Sequence, residues 1–126
     1  MTDRAGNINE KLCISAAEKV VNYNKRKHGS LELVVVHSPA FAIAVTNIGQ
    51  VHQRSGFQIK AEHVVSTVGA GDAFAAGMLY GIHEAWSIDE SLELAHATAG
   101  ASLRSSNTVD AVASVQDCLN FARSLQ

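Results

Sequence analysis

Two glycines, a small residue between them and an acid directly after, Gly69-Ala70-Gly71-Asp72, form the stretch of this chain best suited to chemistry. The glycines let the backbone turn tightly and approach a ligand with no Cβ in the way. Ala73, Ala75, Ala76 and Gly77 follow, small enough for a closely packed helix. The first amides of a helix have no partner inside it and carry partial positive charge, so this entrance is a seat for phosphate oxygens. A P-loop is excluded, because no lysine follows the second glycine. A dinucleotide fingerprint is excluded too, because Phe74 stands where it needs a third glycine. A carboxylate beside a phosphate seat repels the ligand, so Asp72 has two readings. It caps the helix, or it accepts a proton from a hydroxyl that attacks phosphorus.

The other candidate groups point to structure. His37, His52, His63 and His83 share no metal-ligand spacing, and His83-Glu84 lacks the second histidine of a zincin. His96, alone on a helix, reads as a structural histidine. Cys13 and Cys118 lie far apart among apolar positions and read as small core residues in a reducing compartment. The basic run Lys25 to His28 falls where a helix ends, and its cations complement the helix dipole there. The net charge of -2 invites no nucleic acid. With no long apolar run and no charged-then-apolar leader, the expectation is a cytoplasmic protein with no membrane partner.

The elements that must hold the glycine turn follow from periodicity. A helix is expected over residues 12 to 27, with Ile14, Ala17 and Val21 on one face. "LELVVVH" (31 to 37) reads as a strand buried on both faces, and "FAIAVTN" (41 to 47) as a second. A turn at Asn47, Gly49 and Gln50 leads into "VHQR" (51 to 54), and a short strand is expected at Val64-Val65. Helices follow over 72 to 85, over 88 to 104 and from about Ser114. Ser87 and Glu90 make a capping box for the second of these. Its inner face is expected to hold Leu92, Ala95, Ala99 and Leu103. Strands with helices packed on them, in 126 residues with one proline, predict a single α/β domain.

"STVGAGDAFAAGMLYGI" resembles the second signature of the ribokinase-like (PfkB) family of carbohydrate and nucleoside kinases, D-T-x-G-A-G-D-x-F. Thr67, Gly69, Ala70, Gly71, Asp72, Phe74 and Gly77 all fit it. "WSIDESLELAHATAGASL" resembles the two helices after the signature, and the strands before it resemble those that lead in. The resemblance implies a layered α/β fold with parallel-type strands flanked by helices. It covers the C-terminal, nucleotide-side portion of that fold, as one truncated domain over residues 1 to 126. The N-terminal half, with most sugar contacts and the lid, is not covered. By the same resemblance, Gly69, Ala70 and Gly71 offer an anion hole and Asp72 is the catalytic base. Thr67, Ala97, Gly100 and Ala101 border the nucleotide. ATP with Mg²⁺ is the implied phosphoryl donor, and a sugar or nucleoside hydroxyl the acceptor.

The chain also departs from that pattern. Ser66 stands where relatives carry an acid that helps hold a monovalent cation, so the resemblance does not extend to that ion. "VHSPAF" replaces a T-x-G-x-x-G segment, with Val36 for the threonine and Ser38 and Phe41 for the glycines, which predicts weakened or altered nucleotide binding. "NINE" (Asn7 to Glu10) matches the family's Mg²⁺-associated N-x-x-E, although both residues also suit a helix start. Ser66 and "SSNTVD" (105 to 110) resemble the pseudouridine-kinase-like branch. Two functions follow from these features: an ATP-dependent phosphotransferase, or a catalytically inactive remnant that binds nucleotide weakly or serves as an interaction module. In either case a homodimer or partner chain is expected to cover the face left open by the shortened fold. A generic anion-binding module, with Asp72 as a cap, is a third reading.

Overall fold

A computed structural model describes residues 8–105 and 112–125. The chain divides into two compact units, residues 1–55 and 56–126.

The first unit pairs one helix with one sheet. Helix α1 (Glu10–Arg26) opens on Asn9, whose side chain accepts the Leu12 amide at 3.1 Å. Cys13, Ala17 and Val21, four residues apart, form one buried stripe. That stripe meets Phe41, Ile43 and Val45, the alternate residues on one face of strand β2 (Phe41–Thr46), in a core that Ile14, Val34 and Val36 extend. Ala42 and Ala44 on the opposite face of β2 are also fully buried. The strand buried on both faces is therefore β2. Strand β1 (Leu33–His37), expected in that role, is only half-buried because it lies at one edge of the three-stranded order β1-β2-β3.

Strand β3 (Val51–Ser55) forms the other edge, alternating exposed and half-buried residues. Both strand pairings are antiparallel, which corrects the parallel-type pairing expected. The reason is connection length. Ser38–Ala40 and Asn47–Gln50 are hairpin links, whereas parallel neighbours need a crossover of roughly a dozen residues. Gly49 supplies a left-handed residue (φ 85°) for the second link, and its amide donates to the Thr46 carbonyl at 3.0 Å.

The second unit is helical. A 3-10 turn at Ala61–His63 leads into an irregular segment, so the strand expected at Val64-Val65 is absent among the described residues. The amides of Val65 and Ser66 donate instead to the Leu103 carbonyl, at 2.7 and 3.2 Å. That carbonyl lies just past the last turn of α3 (Ile88–Ser102), and the link anchors the segment to the helix end. Helix α2 (Ala70–His83) packs on α3 through glycines. A Cβ on Gly77 would lie 2.8 Å from the Ala95 Cα and 3.0 Å from the Leu94 carbonyl oxygen, so the two backbones approach as closely as glycine permits.

Helix α3 carries the expected capping box: Ser87 accepts the Glu90 amide, and Glu90 accepts the Ser87 amide. The Ser87 hydroxyl also donates to the Glu90 carboxylate at 2.8 Å, and this bond, with that from the Ser87 amide, holds the Glu90 carboxyl below its ordinary pKa. One side of α3 faces α4 (Val115–Ser124), where Leu94, Ala97 and Ala101 meet Cys118, Leu119 and Ala122. Leu92 and Ala95 are buried as expected, while Ala99 and Leu103 are only half-buried. Both cysteines are free and buried. No described helix is long and apolar enough to cross a membrane.

Candidate active site

Gly69 caps α2 in the left-handed region (φ 83°, ψ -2°), with no side-chain cap. That conformation costs an L-residue about 1–2 kcal/mol, which is why glycine stands here. The turn is set from both sides. Ser66 Oγ accepts the Val68 amide at 3.2 Å, and the Thr67 carbonyl accepts the Ala70 amide at 3.4 Å. The Ala73 amide then donates to the Gly69 carbonyl at 2.9 Å, which starts the regular helix. Between them, the amides of Gly71 and Asp72 have no acceptor among the described residues. Two open donors at a positive helix end can hold anionic oxygens, and this is the observation on which the phosphate fit rests.

Asp72 is exposed and sits in the first turn of α2. Its carboxylate makes no hydrogen bond or ion pair among the described residues, so it is not a capping side chain here. A few residues on, Phe74 is buried and meets the His96 ring edge-on, at 5.3 Å between centroids and 81° between planes. His96 is thus a packed core residue, as its isolation in the sequence implied.

The remaining candidates separate. Thr67 and Gly71 are exposed at the turn, and Ala70 is half-buried beside them. Ala97 and Ala101 are fully buried against α4, and a Cβ on Gly100 would meet Ile59 at 3.0 Å. Within "VHSPAF", the Ser38 hydroxyl donates to the Phe41 carbonyl at 3.1 Å and accepts the Phe41 amide at 3.2 Å. The Phe41 ring and Val36 belong to the α1–β2 core. This segment is a closed hairpin link.

Asn7 and residues 106–110 of "SSNTVD" lie outside the described residues. Glu10 opens α1, and its carboxylate accepts Gln53 Nε2 at 2.6 Å. Among the described residues no three His, Cys, Asp or Glu side chains cluster to hold a metal ion. What the sequence did not reveal is the Leu103 carbonyl as the anchor of the turn's approach; a main-chain acceptor leaves no signal in residue type.

Comparison with known proteins agrees with this geometry. Residues 7–114 match the model of the pfkB family carbohydrate kinases. The chain is 30% identical over 96 residues to the 5-dehydro-2-deoxygluconokinase of Clostridium beijerinckii, covering 76% of this chain and 27% of that one. Against the 5-dehydro-2-deoxygluconokinase of Geobacillus kaustophilus the identity is 30% over 105 residues, with 83% and 29% covered. Among solved structures, phosphofructokinase-2 from Escherichia coli in complex with potassium superposes with a TM-score of 0.70 at 25% identity, over 94% of this chain and 35% of that one. The ribokinase of Cryptococcus neoformans in complex with ADP superposes with a TM-score of 0.71 at 15% identity, over 92% and 38%, a likeness of fold. The chain thus spans a little over a quarter of the length of the curated relatives it matches. With the ribokinase-like fold, the signature turn and the family match in agreement, the chain belongs to the pfkB family of carbohydrate kinases.

Proposed function

We propose that this chain is the nucleotide-side part of an ATP-dependent kinase that phosphorylates a hydroxyl of a sugar. One observation carries the reading: an exposed carboxylate, unengaged among the described residues, stands beside the open amides of Gly71 and Asp72 at a glycine-capped helix entrance. MgATP, when bound, supplies the phosphoryl group. The 71–72 amides hold its oxygens, with the backbone of Gly69 and Ala70 shaping the turn, and Asp72 takes the proton of the acceptor hydroxyl as that oxygen bonds to phosphorus and ADP leaves. The names of the curated relatives put 5-dehydro-2-deoxygluconate first among acceptors to test, ahead of other sugars and nucleosides.

A second reading, a non-catalytic form that holds nucleotide weakly, is favoured by the closed "VHSPAF" link, whose hydroxyl and ring are already engaged. Calorimetric titration with MgATP and MgADP separates the two. The kinase reading expects saturable binding that weakens when Gly69→Val distorts the left-handed cap. No heat at roughly millimolar nucleotide, an affinity of about -4 kcal/mol or weaker, would favour the second.

A further inference from the structure

The approach to the glycine turn is anchored at the end of α3, where that helix is weakest. The Leu103 carbonyl accepts the amides of Val65 and Ser66 at 2.7 and 3.2 Å. Ser66 passes the link on, since its Oγ accepts the amide of Val68, the residue before Gly69. Yet regular helix has ended at this point. The amides of Leu103, Arg104 and Ser105 each reach back only three residues, to the carbonyls of Gly100, Ala101 and Ser102, at 3.3, 3.3 and 3.4 Å. Bonds of this kind are longer and poorer in geometry than those inside an α-helix, and helix ends fray.

A side-chain contact braces this end from α4. Arg104 directly follows the anchoring carbonyl, and its guanidinium carbon lies 3.9 Å from the centroid of the Phe121 ring. A guanidinium is attracted to the face of an aromatic ring. Phe121 itself packs on the core shared by α3 and α4, so it is a steadier platform than the frayed helix end. We propose that Arg104 is a positioning residue for the phosphate seat. Its stack on Phe121 steadies the Leu103 carbonyl and, through Val65 and Ser66, sets the turn that presents the Gly71 and Asp72 amides. The role rests on the kinase reading of that turn. Nucleotide binds the arranged turn, so its apparent affinity falls with the fraction of chains in which the turn is arranged.

The test makes two measurements on the 126-residue chain. Amide hydrogen exchange without nucleotide reads the anchor. Loss of an exposed cation–π contact should speed exchange at Val65 and Ser66 by roughly two- to fivefold in Arg104→Ala. The α4 amides of Leu119 and Ala122 should keep their wild-type rates. Titration with MgADP reads the seat: affinity should fall by a similar factor in Arg104→Ala and recover in Arg104→Lys, which keeps a cation over the ring. Exchange at Val65 and Ser66 that ignores Arg104→Ala overturns the proposal. Equal acceleration along α4 does so too, because the stack is then a general stability contact. Selective exchange with unchanged MgADP affinity overturns the positioning role alone. A wild-type chain that binds no MgADP removes the kinase reading, and the role falls with it.

Discussion

The two units use similar raw material to opposite ends. In the first, the "VHSPAF" link closes on itself: the Ser38 hydroxyl exchanges two hydrogen bonds with the Phe41 backbone, and the Phe41 ring fills the core against α1. In the second, the "STVGAGD" turn stays open, with two amides and a carboxylate unengaged among the described residues. A segment whose polar groups satisfy one another is explained by folding alone. One that leaves donors and an acid open is available to hold a ligand. The proposed site therefore lies in the open turn, whereas the closed link belongs to the core of the first unit.

The sharpest way to break this contrast is a pair of substitutions read by denaturant unfolding. Phe41→Ala should cost about 3–5 kcal/mol, the usual loss for a buried phenylalanine. Asp72→Asn should change stability by less than about 0.5 kcal/mol, as for exposed positions away from caps and networks. A large cost at Asp72 would make it a structural residue.

Gly77→Ala tests the support beneath the turn. Alanine gains about 0.5–1 kcal/mol in helix propensity over glycine. Its Cβ would nevertheless press on α3 backbone at Ala95 and Leu94, which cannot swing aside. Overpacking of this kind costs about 1–3 kcal/mol, so the net effect is a loss of about 1–2 kcal/mol. A stabilised variant would mean that α2 and α3 can separate freely.

Ser87→Ala removes the α3 cap and should cost about 1 kcal/mol. The same cap predicts a pH effect. Hydrogen bonds to Ser87 lower the Glu90 pKa in the folded state, so its contribution is present above the ordinary glutamate value and is lost as pH falls through the lowered folded one. Acid unfolding followed in wild type and Glu90→Gln should show this dependence only in wild type.

The smallest effect has the opposite sign. At the end of α2, the Ala85 amide donates to the Ile82 carbonyl at 3.1 Å and the Trp86 amide to the Gly81 carbonyl at 2.9 Å. This is a Schellman cap, completed by the edge-on contact of Trp86 with Tyr80. Ala85 holds the left-handed position (φ 58°) where glycine is favoured. Ala85→Gly should therefore raise stability by about 0.5–1 kcal/mol, measured as a higher melting temperature.

Much of this was legible in the residues, for identifiable reasons. The four helices show in apolar spacing and caps, and the Ser87-Glu90 box sits where its pattern placed it. The glycine turn was legible because only a few residue types permit its backbone. Strand environment was harder. "LELVVVH" reads as a doubly buried strand, but an edge position is a property of neighbours that the run itself cannot encode. Val64-Val65 has strand-forming residues, yet the Val64 amide donates to the Ala61 carbonyl and the Val65 amide to the Leu103 carbonyl. The resemblance puts Ala97, Gly100 and Ala101 beside the nucleotide; small residues on a helix also suit close packing, and Ala97 and Ala101 pack against α4 while Gly100 lies close to Ile59.

The central claim is that Asp72 is a proton acceptor placed beside an anion seat. Its most direct test is the rate of ADP formation from MgATP with 5-dehydro-2-deoxygluconate and a panel of other sugars and nucleosides. Wild type and Asp72→Asn would be compared, each grafted in place of the matched region of the Clostridium beijerinckii kinase. The account predicts a fall in kcat of roughly 10²–10⁴-fold with unchanged stability and nucleotide binding. A variant that turns over as fast as wild type would contradict it.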